Sequence, residues 1–229
     1  MMRCILACDL LGGVVVRGVR GDRARYRPVA EYSKVVATSV PVEVIGAMRP
    51  RETYIADLDR ITGRGDNLPL IRELSRITRT LVDAGAARPG DVARLRPAAG
   101  AVILGTETAS LALIRECQGP GTVVSVDMKG GRMMACDPAL ASTPLEVVRM
   151  LDDLALDAII LLDVARVGSG EGVDFRLLEE AASASRHEVI AGGGVRDVDD
   201  LDRIGAAGSA GAIIASAVHS GAIPLSFLR

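Results

Sequence analysis

Eight short runs of β-branched and aliphatic residues recur along this chain, at 3–8, 53–57, 79–83, 101–104, 122–127, 158–163, 187–191 and 211–215. Each run is continuously apolar. A strand with one solvated face alternates, whereas a strand buried on both faces does not, so these runs read as strands of a parallel sheet covered on both sides. Stretches of helical period lie between them, at 41–48, 67–77, 90–96, 107–117, 143–155, 174–185 and 196–205. Thr143-Pro144 opens one of these with a capping hydroxyl and a proline at the first helical position. Aromatic residues are 2% of the 229 and tryptophan is absent, so the core is built from Ala, Val, Ile and Leu. Strands alternating with helices make an α/β fold, and eight parallel strands is the number that closes into a (βα)8 TIM barrel. An open doubly wound sheet is the alternative. It needs a glycine-rich turn from the first strand into a helix, but Gly12-Gly13 lead into VVVRGV, a further strand. That predicts a β-ribbon over 13–20.

The runs also repeat. ILACDLLGGVVV and VVSVDMKGGRMM both carry an aspartate at the end of an apolar run and two glycines after a gap of two, with Asp9 and Asp127 118 positions apart. Asp57 in IADLDRITGRG matches Asp163 in LLDVARVGSGEG at an offset of 106, and Arg88 matches Arg196 at 108. Gly105 in AVILGT matches Ala215 in AIIAS at 110. Four matches in one order predict a single domain over 1–229 made of two half-barrels, at about 1–118 and 119–229.

In such barrels the loops after the strands meet at one rim, and chemistry sits there. Asp9 and Asp127 end strands one and five, which face each other across the mouth. Two opposed carboxylates suit general acid–base work on a small ligand between them; the plainer role for either is to cap a helix or anchor a loop. AGGGVRD, with Gly193 and Gly194, follows strand seven and opens a helix, an arrangement that brings free amides to an anion. A tight turn would use the same glycines. Gly105 and Thr106 in ILGTETA and Gly85 in LVDAGAA form a weaker second candidate, and Ser216 offers a hydroxyl beside strand eight.

The ordered set ACDLLGGVVVRGVRGD, ADLD…GRGDN, VILGTETA, VVSVDMKGG, LLDVARVGSG and AGGGVRDVDDL resembles the histidine-biosynthesis barrels, the family of ProFAR isomerase and of the cyclase subunit of imidazole glycerol phosphate synthase. The resemblance runs from about residue 3 to 221 and is closer to the isomerase. It implies a ribulose-phosphate-binding type of barrel, a half-barrel duplication and a ligand with a phosphate at each end. Asp9 then matches the family's general base and Asp127 its strand-five aspartate. Gly193 and Gly194 match one phosphate site, and Gly85, Gly105 and Thr106 the other. Gly168 lies in the loop after strand six, where the family reads Arg-Asp-Gly and its aspartate is the general acid. This chain has Arg166-Val167-Gly168 there, and valine cannot donate a proton. Ala84 and Ala86 replace glycines beside Asp83, whose carboxylate would repel a phosphate. Ala215 replaces another glycine, and Asp-Arg-Ile-Thr at 59–62 replaces a small-residue turn. These departures resemble a divergent branch of the isomerase family found with methanopterin-linked one-carbon metabolism.

The expected function is therefore an isomerase-type, acid–base enzyme acting on a phosphorylated small molecule and diverged from ProFAR isomerase. The alternatives are a working ProFAR isomerase of histidine biosynthesis and a phosphate-ligand binder without turnover. No cofactor is expected. The two histidines and scattered Cys4, Cys8, Cys117 and Cys136 form no metal motif, so the thiols read as reduced and the location as cytoplasmic. A net charge of −2 without like-charge blocks argues against nucleic acid, and the absence of a long apolar segment against a membrane partner. No exposed apolar stripe specifies an oligomeric state.

Overall fold

The computed structural model describes residues 2–229 and contains all eight expected strands. In chain order the strands are β1 (Arg3–Leu11), β2 (Val14–Arg17), β3 (Arg27–Pro28), β4 (Glu52–Asp57), β5 (Arg79–Asp83), β6 (Ala101–Gly105), β7 (Thr122–Lys129), β8 (Arg132–Met133), β9 (Ala158–Asp163), β10 (Glu188–Gly192) and β11 (Gly211–Ile214). Parallel pairing runs β1-β4-β5-β6-β7-β9-β10-β11, and β11 returns to β1 with Arg3 opposite Gly211 and Leu6 opposite Ile214. The sheet is closed, so the open-sheet alternative is excluded. Short helices, the longest being Phe175–Ala184, pack against its outer face.

Side chains of alternate residues along each strand enter the barrel. Ile5, Tyr54, Leu81, Ile103, Val123, Ile160, Ile190 and Ile213, one from each barrel strand, form the inner core. Burying one such aliphatic side chain is worth roughly 1.5–3 kcal/mol. Two and four residues beyond this layer the same face reaches the rim, and that places Asp9, Asp83 and Asp127 inside the mouth. Cys8, one residue before Asp9, is fully buried in the outer core, as expected for the opposite face. Burial pushes its thiol up to about 12, which makes it inert.

The two Gly-Gly turns share one geometry. Leu11 pairs with Val14 across Gly12-Gly13, at φ +60° and +77°, and Lys129 pairs with Arg132 across Gly130-Gly131, at φ +60° and +76°. Positive φ at both central residues marks a two-residue hairpin with the twist that strand pairs prefer. A carboxylate from the neighbouring βα unit anchors each turn: Gly12 N–H donates to Asp59 at 2.8 Å and Gly130 N–H to Asp163 at 3.0 Å.

Several boundaries differ from expectation, and three of the differences have a clear local cause. The ribbon expected over 13–20 ends at Arg17, because Gly18 and the left-handed Arg20 (φ +51°) turn the chain over the barrel mouth. The helix expected from 107 begins at Leu111, where the Ser110 hydroxyl caps it by accepting from Leu113 N–H at 3.1 Å. The helix expected over 143–155 starts as the Thr143-Pro144 signal implied, in a reciprocal Thr143–Glu146 capping box, but stops at Leu151.

Candidate active site

One cavity of about 600 Å³ opens at the rim formed by the C-terminal ends of the strands. Of the residues singled out from sequence, Asp9, Asp127, Gly168, Gly193, Gly194 and Ser216 line it. Gly85, Gly105 and Thr106 lie beside it with their polar groups already engaged. Gly85 N–H donates to Asp83 Oδ1 at 3.0 Å, and Thr106 N–H to the Ser125 carbonyl at 2.9 Å. The Thr106 hydroxyl donates to the Met134 carbonyl and accepts from Asp127 N–H, both at 2.9 Å. Gly105 has a steric role. A Cβ there would stand 2.7 Å from Asp127 Oδ2 and 3.7 Å from Asp83 Oδ2. The missing side chain is what gives the Asp127 carboxylate its place.

The floor holds three carboxylates. Asp127 is 4% exposed and held by two donors, Ser125 Oγ at 2.6 Å and Glu107 N–H at 3.2 Å. Burial, with the Asp83 charge adding to it, still raises its pKa to about 8. Asp9 is raised to about 7 for the same two reasons, with the Arg23 charge opposing and no hydrogen bond to its carboxylate among the described residues. Asp83 is raised by burial to about 6, its bonds from Gly85 N–H and the Tyr54 phenol pulling the other way. Near neutrality the trio therefore does not carry three full charges. Asp127 keeps its proton most firmly, and Asp9 is the more readily ionised of the opposed pair. Two facing carboxyls of unequal pKa are what an acid–base pair requires.

The opposite wall is cationic and rich in free amides. Gly193 and Gly194 adopt φ +89° and +90°, and among the described residues no protein acceptor takes the N–H of Gly193, Gly194 or Val195. Two further cations missed in the sequence, Arg17 and Lys34, line this side. Arg17 stacks over Tyr32 at 4.7 Å, and its Nε is buried with no partner among the described residues. Tyr32 meets His219 edge-on at 5.7 Å, and His219 Nδ1 lies 2.9 Å from Ser33 Oγ. Burial lowers the His219 pKa to about 4, so that imidazole is neutral. Arg17 follows a strand register that only the ribbon reveals, and Lys34 sits in a loop without a motif.

Val167 closes the third side. A Cβ on Gly18 would fall 2.8 Å from Asp9 Oδ2 and 2.9 Å from Val167 Cγ1, so the two side chains flank one point. The loops are tied there: Arg20 N–H donates to the Val167 carbonyl at 2.8 Å, and the Arg20 guanidinium pairs with Glu171 at 2.6 Å. No group of three or more His, Cys, Asp or Glu able to hold a metal occurs among the described residues, nor does any helix long and apolar enough to cross a membrane.

Comparison with known proteins agrees with this architecture. The chain is 32% identical over 231 residues to an uncharacterized protein of Methanocaldococcus jannaschii, covering 98% of this chain and 96% of that protein. It is 31% identical over 238 residues to 1-(5-phosphoribosyl)-5-((5-phosphoribosylamino)methylideneamino) imidazole-4-carboxamide isomerase, or ProFAR isomerase, of Myxococcus xanthus, covering 98% and 97%. The isomerase of the same name from Thermus thermophilus is 29% identical over 234 residues, with 98% and 97% covered. The sequence pattern of the family described as histidine biosynthesis protein matches residues 3–224. With a closed eight-stranded parallel barrel, that match across nearly the whole chain places it: this protein belongs to the histidine biosynthesis protein family of TIM barrels, related to ProFAR isomerase.

Proposed function

We propose that this chain is an acid–base enzyme acting on a phosphate ester at the rim of the barrel, diverged from ProFAR isomerase. The observation that carries the reading is the opposed pair Asp9 and Asp127 in one cavity, with pKa values raised to about 7 and about 8. In an aminoaldose–aminoketose isomerisation the acid protonates the ring oxygen as the C1–O bond breaks, which leaves an iminium. The base then takes the C2 proton, and the resulting enolamine tautomerises to the aminoketose. Asp127, protonated near neutrality, supplies the first proton, and Asp9 removes the second. The free amides of Gly193, Gly194 and Val195, with Arg17, Lys34 and the Ser216 hydroxyl, hold the phosphate and fix the sugar between the two carboxyls. The matching hairpins of the two halves support descent by duplication of a half-barrel.

Divergence rests on Val167 and Asp83. Val167 puts an apolar side chain at the position where the resemblance implies a proton donor, and loss of a general acid typically costs about a hundred- to ten-thousand-fold in rate. A working isomerase is the second reading, favoured by the activity for which the relatives are named and by the protonated Asp127. The test is the turnover of ProFAR by the purified protein, by Val167→Asp and by Asp127→Asn, with Asp9→Asn as control. Turnover far below about 1 per second in the wild type, increased by Val167→Asp, supports divergence. Wild-type turnover at or above that rate, abolished by Asp127→Asn, overturns divergence and leaves the acid–base pair intact.

A further inference from the structure

The cavity is chemically two-sided. On the side of Gly193 the backbone presents unsatisfied N–H groups and the side chains Arg17 and Lys34. On the side of Asp83 four loop amides are spent on carboxylates of the chain itself: Gly85 N–H on Asp83, Glu107 N–H on Asp127, and Ala87 and Arg88 N–H on Asp91 at 3.1 Å each. The acidic side chains facing the cavity there are Asp83, Asp127 and Glu107; the cations at that rim are Arg23, 4.0 Å from Glu107, and Lys129 at the end of the Asp127 strand. A phosphate on this side would meet carboxylates where it needs donors. An ammonium or amidinium would meet acceptors, the Asp83 carboxylate among them.

Building on the proposed phosphate site at Gly193 and Gly194, we infer that the ligand is a phosphomonoester whose far end is an amine or other cationic N–H donor bound by Asp83, and not a bisphosphate. The asymmetry follows from atoms in place. Filling the Asp83 side with a second dianion would break the Asp83–Gly85 bond and bury like charges together, which is strongly unfavourable in a partly enclosed site. Seating an ammonium there neutralises the carboxylate that raises both Asp9 and Asp127, so ligand binding also adjusts the acid–base pair.

The test is calorimetric titration of the full chain with three series of matched carbon length: alkyl phosphates, ω-aminoalkyl phosphates and alkanediol bisphosphates, beside inorganic phosphate. The expected result is that the best aminoalkyl phosphate binds at least about tenfold tighter than its alkyl counterpart and that the bisphosphate gains nothing. Asp83→Asn is expected to erase the amino advantage and leave alkyl phosphate affinity in place. Equal affinity of the amino and alkyl series, or a bisphosphate about tenfold tighter than the monophosphate, overturns the inference while the phosphate site stands. If neither inorganic phosphate nor any ester binds, the phosphate reading fails and takes the inference with it.

Discussion

Asp9 is held at a thermodynamic loss, and the loss has a pH signature. Its carboxylate receives no hydrogen bond among the described residues, and burial with the Asp83 charge lifts it from 3.8 to about 7. An acid whose folded pKa lies above its unfolded value leaves the unfolded state more ionised between the two. Stability is then complete below the unfolded pKa and falls as pH rises towards the folded one. The full span of about three pKa steps corresponds to a ceiling of roughly 4 kcal/mol. Asp9 faces an open cavity, so solvent screening brings the expected figure to about 2 kcal/mol. Asp9→Asn keeps the shape and removes the charge. At pH 8 the variant should therefore be more stable than the wild type by about 2 kcal/mol, or about 4–8 °C in melting temperature for a chain of this size. At pH 5 the unfolded aspartate has gained only part of its ionisation advantage, so the stabilisation should be less than about half as large. The assay is a series of thermal melts of both proteins from pH 5 to 8.5, with denaturant titrations at the two ends. A variant that melts below the wild type at pH 8, or a difference that does not grow with pH, would refute the claim that Asp9 is a strained, functional carboxylate.

Where the protein has a measurable turnover, its pH profile should be bell-shaped, with limbs near 7 for the ionising Asp9 and near 8 for the loss of the Asp127 proton. Asp83→Asn should move both limbs to lower pH, because the charge it removes raises both groups; a rate profile with unmoved limbs would show that the three carboxyls are not coupled. Gly105→Ala should reduce activity about as much as Asp127→Asn, since its Cβ would stand 2.7 Å from Asp127 Oδ2. Its stability cost of about 1–3 kcal/mol is read separately by denaturation, and an active Gly105→Ala variant would show that Asp127 does not need that place.

The barrel was legible because buried parallel strands are continuous apolar runs, and eight of them leave few other solutions. The two hairpins were legible as Gly-Gly after a matched aspartate, since only residues tolerant of positive φ make that turn. Helix starts were less so. Glu107 and Thr108 stand four and three residues before Leu111, in helical phase with it, but the Ser110 cap overrides the pattern. At the site, Asp9 and Asp127 stood out through repetition, and the strand periodicity that points them inward does the same for Asp83, which reads in sequence only as an obstacle to phosphate. The employment of the Gly85 and Thr106 groups by Asp83, Ser125 and Met134 was not legible, because those partners are set by strand register and loop path. Arg17 and Lys34 escaped notice for a related reason: a lone cation at a strand end or in a loop carries no period, and only the ribbon folding over the mouth brings these two to the cavity.

The closing seam gives this chain a long wait during synthesis. Ile5 and Leu6 on β1 pair with Ile213 and Ile214 on β11, so one edge of the first strand made has no partner until almost the last strand has been made. At a ribosomal pace of roughly 5–20 residues per second, the intervening stretch of about 200 residues takes on the order of 10–40 s. For that interval a short apolar edge is open to any other strand in the cell. The early partners β2 and β4 occupy the remaining bonds of β1 soon after it emerges, which narrows the hazard to a four-residue ledge. An edge that brief, bounded by the charged Arg3, is a small target for a neighbouring nascent chain.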